Sequence, residues 1–360
     1  MKKFFLILIA FLSALFSNAQ EKENQSLLEK LKWNDEMLNI FLEARVDFQT
    51  SMVNGDHENM EFHGNTLKLW AAGEILPGFR YRIRHRLNRS QTPGRDGYSG
   101  ATDQVWLAFD IKDRWTITAG KQSVQFGTFE YDYDPIDIYL PTMCFDDLDA
   151  YKLGVNVAYK FKQQVLNLQV VNSDAPQFAS EEYQRKALGF NLLWEGDLLD
   201  GLIKTRWAYG AFQHTKSKFY NWLTLGTQFN VNKFTAEVDY YLGNRDMDYG
   251  SVVNSDILGS RYVHDQSFSL NLKMDCGKWK PAIKGIWDQR HDQATDRNAY
   301  ENIGVQTVME YYPFDGVLKD LRFHLVYQFN STDYQGIFSQ INNRDVHTAL
   351  AGVSWLFKVK

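Results

Sequence analysis

Gly78–Arg89 reads GFRYRIRHRLNR. Arg80, Arg82, Arg84 and Arg86 take every second position, with Phe79, Tyr81, Ile83, His85 and Leu87 between them. Successive side chains of a strand point to opposite faces, so this segment has one cationic face and one largely apolar face. A charge on the lipid side of a membrane strand near mid-depth costs roughly 2–4 kcal/mol, and four cost on the order of 10 kcal/mol. That is comparable with the whole stability of many domains. The arginines must therefore turn toward water while the other row faces lipid or a neighbouring subunit. His85 in that outer row suits a protein contact better than lipid.

The same period-2 alternation runs through most of the chain. In IFLEARVDFQ, Ile40, Leu42, Ala44, Val46 and Phe48 separate from Glu43, Arg45, Asp47 and Gln49. About sixteen such segments fall near 39–50, 64–75, 79–89, 102–111, 114–122, 151–161, 164–172, 186–195, 202–213, 218–230, 233–243, 264–275, 279–288, 300–311, 320–330 and 346–359. Short connections (76–78, 112–113, 162–163, 230–232, 275–278) follow even-numbered segments. Longer ones (51–63, 90–101, 123–150, 173–185, 244–263, 289–299, 331–345) follow odd-numbered segments, with 214–217 an exception. Short turns on one rim and long loops on the other describe an outer-membrane barrel with both termini in the periplasm. The expected fold is all-β, a transmembrane antiparallel β-barrel of about sixteen strands over 38–360. An extracellular β-sandwich is the competing class, and it gives no reason for alternating loop lengths.

Lys2, Lys3 and the apolar run Phe4–Phe16, followed by Ser17-Asn18-Ala19, read as a cleavable signal peptide over 1–19. Residues 20–37 read as a periplasmic N-terminal segment. No later run approaches the length of a spanning helix, while 19 Tyr, 25 Phe and 10 Trp make the chain aromatic-rich. The expected location is the outer membrane of a Gram-negative bacterium. A net charge of −5 argues against nucleic acid as a partner. Cys144 and Cys276 read as incidental, and no Cys/His spacing suggests a metal or cofactor. Trp115, Trp194, Trp279 and Tyr311 near the short-turn ends, and Phe48 and Phe329 near the others, suit interfacial girdles.

The longest connection, 123–150, carries Glu130, Asp132, Asp134, Asp137, Asp146, Asp147 and Asp149 between Gly127 and Asp149, with no Lys or Arg in that stretch. As the third long loop of a wide barrel, it is expected to fold inward and narrow the lumen; a solvated extracellular loop is the alternative, and a Ca²⁺ site is less favoured because D-Y-D-P-I-D lacks the Gly and distal Glu of an EF-hand loop. Glu130, Asp132, Asp134 and Asp137 would then form the acidic side of a constriction. Arg80, Arg82, Arg84, Arg86 and Arg45 would form the basic wall, with a transverse field between them. Lys68, Lys204, Arg206, Lys284 and Arg322 are further inward cations, some of which would offset Glu43, Asp47 and Glu74.

GKQSVQFGTFEYDYDPIDIY (120–139), behind an arginine-alternating strand, resembles the phosphate-selective porin O and P family, through Gly120, Lys121, Phe126 and Gly127 above all. The resemblance implies a sixteen-stranded trimeric barrel with the third loop in the pore, and an arginine ladder, here Arg80 to Arg86, that draws phosphate inward. The acidic loop departs from that pattern, since an anion-selective constriction should carry Lys or Arg. The expectation is a non-enzymatic porin for passive diffusion of small hydrophilic solutes or ions, with membrane lipid and two further copies as partners. An anion- or phosphate-selective channel is the alternative, followed by a substrate-specific passive channel, a blocked scaffold, and an outer-membrane barrel enzyme using His214 and Ser217.

Overall fold

The computed structural model describes residues 37–248 and 260–359, so the leader, residues 20–36 and part of the 244–263 connection lie outside the described residues. Sixteen strands follow in order: β1 (Asn39–Val53), β2 (Asp56–Leu76), β3 (Phe79–Arg86), β4 (Thr102–Ile111), β5 (Trp115–Ser123), β6 (Tyr151–Phe161), β7 (Gln164–Asn172) and β8 (Leu188–Leu198). Then come β9 (Ile203–Gln213), β10 (Phe219–Val231), β11 (Phe234–Asp248), β12 (Ser260–Met274), β13 (Trp279–Asp292), β14 (Arg297–Tyr311), β15 (Arg322–Tyr334) and β16 (Arg344–Lys358). Each pairs antiparallel with its sequence neighbours, and β1 pairs with β16, from Phe41 opposite Lys358 to Val53 opposite Val346. Closure leaves no open sheet edge within the apolar band, which the hydrocarbon interior requires.

β4, β6 and β7 occupy the expected residues. The long-loop rim differs. Residues 51–63, read as a loop, are the two ends of a long hairpin whose turn is only Asn54-Gly55, with φ of 52° and 91°. Left-handed values at both central positions suit the right-handed twist of a hairpin, and Asn-Gly adopts them readily. Residues 289–299 shrink likewise to a connection at 293–296. Both errors share a cause. The strand ends that rise beyond the membrane are rich in polar side chains, and so lose most of the alternation that marks them.

Within the band the two faces separate cleanly. On β7, Leu168 and Val170 are exposed outside, while Asn167 and Gln169 are buried inside. Asn167 bonds Asn156 of β6 and Glu195 of β8, and Gln169 bonds Asn191. Trp115 stacks near Tyr159, Trp279 on Tyr311, and Trp194 meets Trp207 edge-on, all close to short turns. The two cysteines are free.

Leu168 stands mid-strand on the outer face and is 57% exposed to what surrounds the barrel. Leu168→Arg is expected to cost about 2–4 kcal/mol of stability in a bilayer, and Leu168→Met less than about 1.5 kcal/mol. Denaturant titration of vesicle-inserted protein measures both.

Candidate functional site

The segment 124–150 leaves β5 at a place only glycine can serve. A Cβ on Gly120 (φ +126°) would stand 2.2 Å from the Val105 carbonyl oxygen, and one on Gly127 would stand 2.5 Å from that of Arg206. The chain thus lies flat against the wall. Thr128 donates its backbone N–H to the Arg206 carbonyl, and the Arg206 Nε donates back to the Thr128 carbonyl, both at 2.9 Å. Gly127 N–H bonds Thr224 Oγ1 of β10 at 2.8 Å. The Phe126-Gly127 pair picked out in the sequence is where the loop docks on the wall.

From there the segment bonds to groups on strands all round the cylinder. Asp239 of β11 accepts from the N–H groups of Phe129 and Glu130 at 2.9 and 3.0 Å. Arg45 of β1 reaches the Ile136 and Ile138 carbonyls, both at 3.4 Å, and lies 4.2 Å over the Tyr139 ring. Asp288 of β13 accepts from Met143 N–H at 3.0 Å, at the start of the short helix α1 (Met143–Asp147). Ser267 of β12 accepts from Cys144 N–H at 3.2 Å.

The acids of the loop meet the wall cations in direct contact. Asp134 pairs with Arg84 of β3 at 2.8 Å, and Asp132 with Arg206 of β9 at 3.1 Å. Glu130 pairs with Lys284 of β13 at 2.6 Å, and Asp137 with Arg322 of β15. The expected geometry of two charged faces opposed across open water is therefore replaced by contact pairs. Glu130 departs furthest from expectation. It is 3% exposed, its carboxylate also accepts from Thr142 and Tyr241, and it only borders the space beside β11–β15. Asp132, Asp134 and Asp137 remain partly open. Burial pushes the Asp137 carboxyl above the usual range, against the pull of Arg322.

The four arginines of β3 lie in different surroundings. Arg80 pairs with Asp110 at 2.8 Å near the short-turn end and is well exposed. Arg86 pairs with Asp103 at 2.7 Å, which Arg84 also approaches at 3.3 Å. Arg82 forms no salt bridge among the described residues, although Asp134 shares its cavity. Its guanidinium lies 4.5 Å over the Trp70 ring, and its Nε is buried without a hydrogen-bond partner. Arg45 is 2% exposed and pairs with Asp47 at 2.9 Å, while Lys68 pairs with Glu43 at 2.7 Å. His85 bonds Thr102 and Gln91.

Among the spaces that border the loop in the described residues, three share Tyr133 in their lining. One of about 590 Å³ opens toward the long-loop rim between Lys68, Arg86 and Arg89 and the loop's Asp146, Asp147 and Asp149. One of about 440 Å³ faces the short-turn rim beside β11–β15. The third, about 330 Å³, collects Arg82, Arg84 and Arg206 against Asp132, Asp134 and Glu195. Tyr133 borders all three and its hydroxyl donates to Glu237.

Sequence reading missed the anchor at the helix end, where Asp147 meets Arg245 and Arg290, both also held by the fully buried Asp265. These residues alternate correctly on β11–β13, but nothing local shows that they converge on one loop carboxylate. The proposed enzymatic pair does not form, since His214 Nδ1 lies 2.8 Å from the Phe178 carbonyl. Asp47, His324 and Ser354 do align, at 2.6 and 3.5 Å, and all three are buried in the wall.

Residues 39–249 match the sequence profile described as phosphate-selective porin O and P. No curated relative matches the chain. Among solved structures, the outer membrane channel DcaP of Acinetobacter baumannii superposes with a TM-score of 0.64 at 10% identity, covering 90% of this chain and 99% of that one. An anion-selective porin from Comamonas acidovorans gives 0.59 at 11%, covering 89% and 99%. A trimer form of Vibrio cholerae OmpT gives 0.58 at 11%, covering 89% and 99%.

The Glu130–Lys284 pair is buried, so removing one partner leaves an uncompensated charge. Glu130→Gln is expected to cost roughly 3–5 kcal/mol, and Glu130→Gln combined with Lys284→Met to recover most of it. Guanidinium unfolding of the refolded protein tests this, and equal losses in the two variants would refute it.

Proposed function

Because the chain belongs to the phosphate-selective porin O and P family, we propose that it is a passive diffusion pore of a Gram-negative outer membrane, weakly charge-selective and open to small hydrophilic solutes and ions. One observation carries the weak selectivity: Arg84, Arg206, Lys284 and Arg322 each hold a carboxylate of the loop. Paired opposite charges cancel within a few ångströms, so little net field remains to sort anions from cations. Arg80, Arg82, Arg84, Arg86 and Arg45 belong to the lumen wall in this reading, and Asp132, Asp134 and Asp137 to the narrowing.

A phosphate- or anion-selective channel is the second reading. Arg82, which forms no salt bridge beside Arg84 and Arg206, favours it, and so does the anion selectivity of the Comamonas porin. The loop acids oppose it. A homotrimer and the absence of catalysis complete the proposal. The trimer form of the Vibrio neighbour supports the first, and the enclosure of His324 and Ser354 supports the second.

In a planar bilayer under a KCl gradient, the wild type is expected to reverse near zero and to conduct unchanged when phosphate is added. Replacing Asp132, Asp134 and Asp137 together by Asn leaves Arg206, Arg84 and Arg322 only their wall partners Glu195, Asp103 and Glu310, and should move reversal toward the chloride equilibrium potential and introduce phosphate block. Arg82→Ser should move it the other way. Strong anion preference and phosphate block in the wild type would overturn the proposal in favour of the second reading.

A further inference from the structure

The long β1–β2 hairpin leaves one strand edge open. β2 pairs with β3 only from Lys68 to Leu76, whereas its pairing with β1 continues to Asp56. Leu87 N–H closes onto the Leu67 carbonyl, and the Asn88 side chain caps the carbonyls of Gly64 and Asn65. Beyond that, no described residue pairs with the outer side of β2 between Asp56 and His63. Register shifts bracket the regular ladder, which runs from Asn59 to Gly64. The uncapped part, Asn59 to His63, amounts to roughly 17 Å of unpaired backbone donors and acceptors. An open edge is untenable in hydrocarbon, and Asp56, His57, Glu58, Asn59, Glu61 and His63 are polar, so this edge stands in water above the band.

Exposed edges are ordinarily blunted by Lys, Pro or a covering loop. Residues 54–66 contain no Lys, Arg or Pro. Instead Phe62 is 81% and Met60 65% exposed on one face, with Phe62 5.1 Å from Phe48. Asp56, Glu58 and Glu61 give the stretch three carboxylates, and Glu58 meets only Arg344, at 3.7 Å between two exposed side chains. We propose that this edge is a docking site for an extended segment of a partner polypeptide in which basic and apolar residues alternate, added as a further strand beside β2. Unpaired main-chain groups supply affinity in such pairing, and alternate side chains supply specificity.

A second copy fits less well. Barrel strands tilt by about 35–45°, and two copies in one membrane run their β2 strands the same way, so facing edges cross rather than lie alongside. Asn65 and Thr66, next along β2, line the opening of about 590 Å³. The docked strand would therefore lie beside the pore mouth.

The test uses the full-length barrel in lipid nanodiscs and a fluorescent octapeptide of alternating Lys and Val, read by anisotropy. Saturable binding is expected, weakened at least tenfold by Phe62→Lys with Met60→Lys, and by replacing the peptide's Lys with Glu. The same peptide with alternate amides N-methylated on its pairing edge should not bind. Unchanged conductance of the double variant shows that the barrel and its pore reading stand apart from this result. Absence of saturable binding to wild type, or equal binding of the N-methylated peptide, would overturn the proposal. So would porin–porin disulfides through Phe62→Cys in a Cys276→Ser background, which would make the occupant a second copy.

Discussion

Hydrocarbon offers nothing to a backbone N–H or C=O, and every other feature of this barrel answers that constraint. Sixteen strands close so that each strand's main chain within the band is paired on both sides. Closure at that strand number leaves an interior too wide for wall side chains to fill. Water enters it, and charged residues become tolerable on the inner face. The arginine row of β3 is a consequence of the water-filled lumen, as the row of Phe79, Ile83 and Leu87 is a consequence of the surrounding lipid.

A wide lumen then requires a loop to narrow it, and the loop must be held without a dry core beneath it. Packing supplies part of the hold, through Phe126, Cys144 and Leu148 against Phe212, Trp222 and Tyr241. The rest is ionic. Asp239, Asp288 and Ser267 fix loop N–H groups, while Lys284, Arg322, Arg84, Arg206 and Arg245 fix loop carboxylates. In bulk water such pairs contribute about 0–1 kcal/mol each. Inside the wall, where Arg245 and Lys284 are nearly enclosed, losing one partner strands the other, so the network resists piecemeal loosening.

The sequence made the barrel legible because a strand's two faces meet different solvents over most of its length, and β6 and β7 are readable to the residue. Legibility stops where that contrast stops. Polar residues dominate around Asn54-Gly55, so the hairpin above the band passes for a loop. Inward direction was also readable for Arg45, Lys68, Arg206, Lys284 and Arg322, since period 2 assigns a face. Partners were not. Asp134 lies 50 residues from Arg84, and Asp137 lies 185 from Arg322. No local pattern records which loop carboxylate crosses the lumen to which strand. Hence Glu130 could be placed on the loop, but its enclosure against Lys284 and Tyr241 could not be foreseen.

Anchoring and selectivity draw on the same side chains, and this sets what kind of pore the fold can be. An arginine left free to attract phosphate cannot also pin a loop, and one that pins a loop through a carboxylate has its field cancelled at contact distance. Most of the wall cations around this loop are spent on anchoring. On β3 only Arg84 holds a loop carboxylate; Arg80 and Arg86 pair with Asp110 and Asp103 of the wall, and Arg82 rests on Trp70. On the proposed reading, such a wall gains a fixed constriction at the expense of charge discrimination, and any anion preference is concentrated at the few cations the loop leaves unpaired.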